Sequence, residues 1–467
     1  MKCPLRIGFL PFYVDYYEAI ASDFAPRKRA LIRQCRETLA AYGEVVGPDE
    51  PLMDKAAAAD AGAAMQREGV DCVVALTVIA VFSGLSDAAI SQLDAPLLLW
   101  HCQEIDTVDA DYSMVEIVRN TGQIGVQALA NVLGRRRREF RVLCASRQAP
   151  QTAAGLEDFF CVARARRALS GGSVLQIGEP FPDMTDVLLP DPHAAALGLH
   201  IVKHSADDLT HAYHSVPEDE ARAEVASMRR EFVPGDITGD ELLRSARIWL
   251  AVKSLLGGLR PACASINSHG VNCLRNPEIG VTATYAISRL HASGIPCSEV
   301  GDIPTALALR ILCELAGDAL YTEVQVLDEV RRAIVLANSG EAAEGLRAPH
   351  APIRLLGNAN FRGLHGRGAS FAYPIAPGPT TVLSLTPVGD NGFRMIAMEG
   401  EILEEPLPDT GAITGFFRFC HTTSHDGYRH WIEAGPVHHA ATARGHHADR
   451  LRSLARLMGW EIVTISL

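Results

Sequence analysis

No Cys-x-x-Cys pair occurs among the 11 cysteines of this 467-residue chain. Zinc ribbons and thioredoxin-like redox centres need that spacing, so neither is expected, and an odd, scattered count argues against a disulfide framework. No uninterrupted apolar run approaches the roughly 18–20 residues of a membrane span. The N-terminus, Met1-Lys2-Cys3-Pro4 followed by apolar Leu5–Phe12, lacks a long apolar stretch with a small-residue cleavage site. The expectation is a cytoplasmic protein in a reducing compartment, with no membrane partner. Neither GxGxxG nor GxxxxGK[ST] is present, and Ser170-Gly171-Gly172-Ser173 is not a substitute, so no nucleotide-binding motif rises above chance. Basic charge is also short, with 43 Lys and Arg against 55 Asp and Glu and a net charge of −12. That balance argues against nucleic acid or an anionic membrane as partner. The one strong basic run, Arg135–Arg138, reads as a solvated helix end.

What is present is a chain long enough for two to four domains, with 48% hydrophobic residues to build their cores. The first part alternates strand and helix signals. Strands are expected at Leu5–Phe12, Glu44–Val46, Val70–Leu76 and Ala95–Trp100. Helices are expected at Pro26–Tyr42, Met53–Glu68 and Asp87–Leu93, the last with Ser86 as N-cap. A helical crossover over Asp111–Leu133 leads to a strand at Phe140–Cys144. Mostly apolar strands separated by helices mean a parallel sheet covered on both faces. Ligands meet such sheets at the carboxyl ends of the strands, which points to Thr77 and to His101-Cys102-Gln103-Glu104. A second α/β unit follows, with a strand at Val174–Gly178, helices at Glu218–Glu231 and Gly239–Gly257, and a strand at Pro261–Ile266 leading into the loop Asn267–Asn272. From about Ala351, Gly and Pro punctuate short alternating segments at Ile353–Leu356, Thr380–Pro387, Phe393–Glu401 and Thr414–Phe419. This texture reads as a small all-β domain, a barrel or a sandwich. A helix at His447–Met458 and a strand at Glu461–Ser466 close the chain.

The chemistry-bearing residues lie in the second half. Glu299 stands in Gly294-Ile295-Pro296-Cys297-Ser298-Glu299-Val300-Gly301-Asp302, Glu323 in Leu320-Tyr321-Thr322-Glu323, and a His438-His439 pair follows Gly435-Pro436-Val437. Two carboxylates and an imidazole converging on one point would bind Mn²⁺, Mg²⁺, Co²⁺ or Zn²⁺ with positions left open. An ion so held grips two neighbouring sugar oxygens and polarises a carbonyl, as interconversion of an aldose and a ketose requires. Each residue also has a bland reading. A single Glu is usually a surface or capping carboxylate. Adjacent histidines on a strand face opposite sides, so at most one of His438 and His439 is a ligand. Cys297 reads as a small buried residue and Trp100 as core. His446 and His447 read as a helix-start pair in solvent, and His365, within Arg362–Gly368, as part of a plain surface loop.

These segments resemble the L-fucose isomerase / L-arabinose isomerase superfamily, in a shorter, divergent branch. Gly294–Leu307 is similar to the family's "G-hydrophobic-x-C-E-x-D…A-L" segment, whose Glu binds metal, and Tyr321-Thr322-Glu323 to its second metal carboxylate. Gly378–Val382, Met395–Glu401, Gly435–Gly445 and Leu451–Gly459 resemble its C-terminal domain, where a histidine of an H-H pair completes the site. Ala95–Gln103 and Asn120–Gln123 resemble segments whose amides line the sugar pocket. There are departures. Ser298 separates Cys297 from Glu299, and two residues rather than one separate Glu299 from Asp302. Ala337-Asn338-Ser339-Gly340 stands where a His-containing stretch is common.

The resemblance implies an α/β fold: two doubly wound parallel-sheet (Rossmann-like) domains, 1–145 and 146–345, then a C-terminal β-barrel-like domain, 346–467, with a closing helix. It implies Glu299 and Glu323 as metal ligands and acid–base pair, and His438 or His439 as nitrogen ligand. Asp302 and Asn338 stand in reserve as ligand or base, and Gln103, Gln123 and Asn120 bind substrate. The metal would be Mn²⁺, with Mg²⁺, Co²⁺, Zn²⁺ and Fe²⁺ as alternatives, in a homo-oligomer with active sites at subunit interfaces. The expected function is metal-dependent aldose–ketose isomerisation through an enediol(ate). The alternatives are a lyase, epimerase or decarboxylase acting on a sugar or sugar acid, or a sugar-binding or regulatory protein without catalysis.

Overall fold

The computed structural model describes residues 4–361, 367–405 and 408–465. His365 therefore lies outside the described residues. The chain divides into two compact units, Met1–Arg167 and Ala168–Leu467.

The first unit is a five-stranded sheet of β1 (Leu5–Phe12), β2 (Gly43–Val46), β3 (Cys72–Thr77), β4 (Leu97–His101) and β5 (Arg141–Cys144). Its order is β2-β1-β3-β4-β5 and every pairing is parallel. All six residues of β3 are buried, as a strand with helices on both faces demands. Local signals set the helix ends. Asp54 Oδ1 accepts from Ala56 N and Ala57 N at the start of helix Lys55–Glu68, and Gly69 at φ 65° closes it. Two sequence expectations shift. The helix expected from Asp87 starts at Ser83, so Ser86 is inside it and donates to Ser83 O rather than capping. The expected single crossover is two helices, Met114–Arg119 and Gly122–Arg135. Gly122 sits at the break because a Cβ there would lie 2.5 Å from Thr77 O.

The second unit opens with a parallel sheet of β6 (Ser173–Ile177), β7 (His200–His204), β9 (Cys263–Ile266) and β10 (Cys297–Glu299), in the order β10-β9-β6-β7. A short β8 (Val233–Pro234) joins β13 (Arg354–Gly357) and β14 (Ala369–Ala372) in a three-stranded sheet. The remaining strands are β11 (Leu320–Asp328), β12 (Ala333–Ala337), β15 (Gly378–Val388), β16 (Gly392–Ile402), β17 (Thr414–Phe419), β18 (His439–Arg444) and β19 (Glu461–Ile465). They form one mixed sheet, β15-β18-β11-β12-β17-β16-β19, and β15 also pairs with β16. The pairing circuit from β15 through β18, β11, β12, β17 and β16 thus returns to β15. Helix Ile303–Ala316 is apolar and buried over most of its surface, in keeping with a position between elements rather than at the rim. No helix among the described residues is long and apolar enough to cross a membrane.

One buried ion pair in this unit has a measurable consequence. Glu241 closes a capping box with Thr238 at the start of helix Gly239–Leu256 and accepts from Arg367 N and Nε at 3.0 Å. Burial pushes its carboxyl up, but Arg367 and the backbone donors outweigh burial and hold it at about 2, below the ordinary 4.5. A depressed folded-state value stabilises at pH above the unfolded value, and that stability is lost as pH falls from about 4.5 through about 2. Glu241→Gln is expected to melt about 2–4 °C below wild type at pH 7. The gap should narrow as pH drops below 4.5; a gap constant down to pH 3 would contradict the pairing.

Candidate functional site

Strand β10 ends on Glu299, beside β9, which runs into the loop 267–272. Both carboxyl ends point the same way because the sheet is parallel, so Glu299 and His269 meet, with His269 Nε2 2.9 Å from Glu299 Oε2. Val300 and Gly301 then turn with φ of 53° and 83°. A β-branched residue in the left-handed region is strained. At Gly301 a Cβ would lie 2.5 Å from Pro180 Cα, so only glycine fits. This turn is the extra residue between Glu299 and Asp302, and it gives the two carboxylates different partners.

Asp302 is fully buried and caps helix Ile303–Ala316, its Oδ1 accepting from Thr305 N at 2.8 Å. Its Oδ2 lies 2.8 Å from His439 Nδ1. Both oxygens of Asp302 are thus engaged, one by the helix start and one by the histidine. Glu323 and His439 are register partners across β11 and β18, and His439 Nε2 lies 3.6 Å from Glu323 Oε1. Because Nδ1 faces a carboxylate, the proton of neutral His439 belongs on Nδ1, and Nε2 keeps a lone pair.

His438 sits one residue before β18 and faces elsewhere, its Nδ1 2.5 Å from Asp186 Oδ2 and its side chain 45% exposed against 3% for His439. Asn338 is engaged in its own turn. Its Nδ2 donates to Tyr321 O and Glu341 O, and its Oδ1 accepts from Gly340 N. In the first unit, Gln103 Nε2 donates to Ile105 O and lines a cavity of about 390 Å³ with Arg27, Gln34, Glu104 and Arg147. Asn120 Oδ1 accepts from Glu104 N and its Nδ2 donates to Glu116 O. Gln123 hydrogen-bonds the His101 side chain, whose imidazole burial pushes down. Of the pair expected in solvent at the last helix, His446 is exposed but His447 is buried against Arg444 O at 2.7 Å. Packing of the strand end under that helix encloses it.

Two residues that the sequence reading passed over belong to the site. Glu341 is buried, and its Oε2 accepts from Ser339 N. Burial and then the charge of Glu299 push its carboxyl well above the usual range. Glu299 is also raised by burial, but the charge and hydrogen bond of His269 and hydrogen bonds from Glu341 and Ser268 hold it below its ordinary value. Two carboxyl groups so buried and so close resist ionising together. His269 is lowered by burial and raised more by Glu299, and Glu323 adds to the rise. His439 is lowered by burial and raised more by Asp302, Glu323 and Glu299. Tyr321 stays a neutral phenol, pushed up by burial and then by Glu323, Glu299, Asp302 and Glu341. Its ring packs on His439 with centroids 4.9 Å apart. Seven titratable side chains thus act on one another. His269 was legible in principle, since the loop after β9 lies where ligands meet a parallel sheet. Glu341 carried no such signal.

The donor chemistry suits a divalent cation. Four carboxylates lie close to one another and to two imidazoles, and Glu299, Asp302, Glu341 and His439 of this group are buried. Such a concentration of acceptors is costly unless a cation or a proton compensates it. No three of these donors lie within 4.8 Å of one another, so Glu299, Glu323 and His439 would have to draw together to hold the ion.

Residues 358–461 match the family model for the L-arabinose isomerase C-terminal domain. An L-arabinose isomerase of Acidothermus cellulolyticus is 26% identical over 286 residues, 58% of this chain and 55% of that protein. One of a Nocardioides species is 26% identical over 264 residues, 53% of this chain and 49% of that protein. The chain spans about half the length of the curated relatives it matches. A solved ABC-transporter solute-binding protein of Agrobacterium vitis covers 64% of this chain and 92% of its own at 12% identity, with a TM-score of 0.15 that carries no argument.

Proposed function

We propose, for a chain that belongs to the L-fucose isomerase / L-arabinose isomerase superfamily, that it is a sugar isomerase interconverting an aldose and a ketose through an enediol(ate), with a divalent metal, Mn²⁺ before Mg²⁺, Co²⁺, Zn²⁺ or Fe²⁺. The observation that carries this reading is the Asp302–His439–Glu323 line beside Glu299. One imidazole nitrogen is fixed by a carboxylate, and its other nitrogen is turned to a second carboxylate.

The metal, when bound, supplies Lewis acidity that makes the proton beside the sugar carbonyl easier to remove. The rest falls to the chain. Glu299 and Glu323 differ in setting: one is 2% exposed against His269, the other 31% exposed beside His439. Carboxyl groups in unlike environments divide the acid and base roles, one removing a proton from one carbon while the other returns it to the neighbouring carbon. Glu341 stands next to Glu299 with its carboxyl pushed well above the usual range. Asp302 orients His439, and Tyr321, buried and neutral, walls the site. Gln103, which lines a cavity of the first unit, is proposed with Gln123 and Asn120 as a donor to sugar hydroxyls. The proposal extends to a C-terminal β-barrel-like domain, for which the closed strand circuit speaks, and to a homo-oligomer with active sites at subunit interfaces.

The test combines metal content by mass spectrometry with turnover of a panel of aldoses and ketoses. Expected are near-stoichiometric metal, loss of turnover on chelation, and its return with Mn²⁺. Turnover indifferent to chelator, or no metal uptake after Mn²⁺ loading, would refute the metal-dependent reading.

A further inference from the structure

A second group of donors lies elsewhere in the same unit. Helix Thr284–Ala292 carries His291 in its last turn, and helix Ile303–Ala316 carries Cys313 in its last turn. Asp318 occupies the turn two residues before β11. One donor atom from each of these three residues lies within 4.8 Å of the other two, and all three are half-buried. Among the described residues this is the one group of three His, Cys, Asp or Glu side chains gathered so tightly. His291 Nε2 is 2.7 Å from Asp318 Oδ1. The carboxylate is held in place from behind, with Oδ1 accepting from Ala319 N and Oδ2 from Gly345 N, both at 2.8 Å. Gly345 permits that approach, because a Cβ there would lie 2.6 Å from Asp318 Oδ2. A cavity of about 420 Å³, lined by His291, Asp318, Gly317 and Glu344, adjoins the group.

We propose that His291, Cys313 and Asp318 form a separate transition-metal site of zinc type, with its fourth position open to this cavity. One imidazole, one thiolate and one carboxylate are a donor set that Zn²⁺ accepts, with an open position left for water. The thiolate also sorts the metals. Soft sulfur favours Zn²⁺ and Co²⁺ over Mn²⁺ and Mg²⁺, whereas the Glu299–Glu323–His439 set is dominated by hard oxygen. Ligand atoms around a tetrahedral ion at 2.0–2.3 Å stand roughly 3.3–3.7 Å apart. The present donors, within 4.8 Å of one another, would have to draw in toward that spacing. The His291–Asp318 contact must open from 2.7 Å, because the ion takes the place of the proton between them. The imidazole keeps its one proton on Nδ1 and the thiol proton of Cys313 leaves to solvent, so affinity rises with pH. The backbone donors to Asp318 fix its orientation as a ligand's supporting shell does. The bound ion would tie the ends of two helices to the start of β11, the strand that carries Glu323. An ordinary His–Asp pair alone would give no thiolate-to-metal signature.

The sulfur therefore supplies the test. Co²⁺ is titrated into the full-length chain already saturated with Mn²⁺, and the thiolate-to-cobalt charge-transfer absorption is followed. Expected is a band that saturates at one equivalent and is displaced by Zn²⁺. It should disappear in Cys313→Ser and in His291→Ala and persist in Glu323→Gln. Zn²⁺ affinity should fall at least about tenfold in Cys313→Ser, and the rise in melting temperature that Zn²⁺ gives wild type should vanish with it. No band in folded wild-type protein, or a band undiminished in Cys313→Ser, would overturn the assignment. The wild-type measurement decides even if a variant fails to fold.

Discussion

Glu299→Gln is expected to lower kcat/KM for aldose–ketose interconversion by about 10²–10⁴-fold, the range for loss of a positioned acid or base. The substitution keeps the shape of a side chain that is 2% exposed. It removes the negative charge that raises His269 and pushes Glu341 up. Glutamine accepts a hydrogen bond but takes no proton, so Glu341 loses its charged neighbour and His269 its ion-pair partner. Circular dichroism and a cooperative melt would establish that the variant folds. Steady-state kinetics with the best substrate of the panel would give the ratio. Activity within tenfold of wild type would remove Glu299 from the chemistry and leave its burial as a packing feature.

The second large effect is at Asp302, which touches no substrate in this reading and acts through His439. Its two oxygens serve two donors, Thr305 N and His439 Nδ1. Asparagine has one acceptor oxygen for those two tasks. If it keeps the helix cap, its amide N–H₂ faces Nδ1, and His439 must carry its proton on Nε2, the nitrogen turned toward Glu323. Loss of such an orienting partner typically costs 10–100-fold in metal affinity or activity, and Asp302→Asn is expected in that range. A merely structural role would lower stability alone. The distinguishing readout is Mn²⁺ affinity by titration at a temperature where the variant is folded. An unchanged Mn²⁺ affinity together with unchanged kcat would contradict the positioning role.

Much of the architecture was legible residue by residue. The apolar run Val70–Leu76 reads as a buried strand and the Ala-rich Met53–Glu68 as a helix, and the structure has Cys72–Thr77 and Lys55–Glu68 there. The alternation of Thr380–Pro387 and Phe393–Glu401 matches the paired β15 and β16. Boundaries slipped where two signals competed. Ser86 looked like a cap but lies inside a helix that begins at Ser83, because packing of Leu85 extends the helix past the local signal.

The sequence by itself determined the α/β character and part of the strand and helix inventory, which follow from periodicity, capping and composition acting over a few residues. The segments that carry Glu299, Glu323 and His439 were picked out by their donor residues and their family resemblance. Only the tertiary structure decided which of two adjacent histidines faces Glu323, since that depends on the β11–β18 register. Only the fold could bring Glu341 and His269 to Glu299 and assign Asp302 to hold an imidazole 137 positions away. Protonation states, donor pairings and the His291–Cys313–Asp318 group arise from distances between residues remote in the chain, and those distances are fixed by packing.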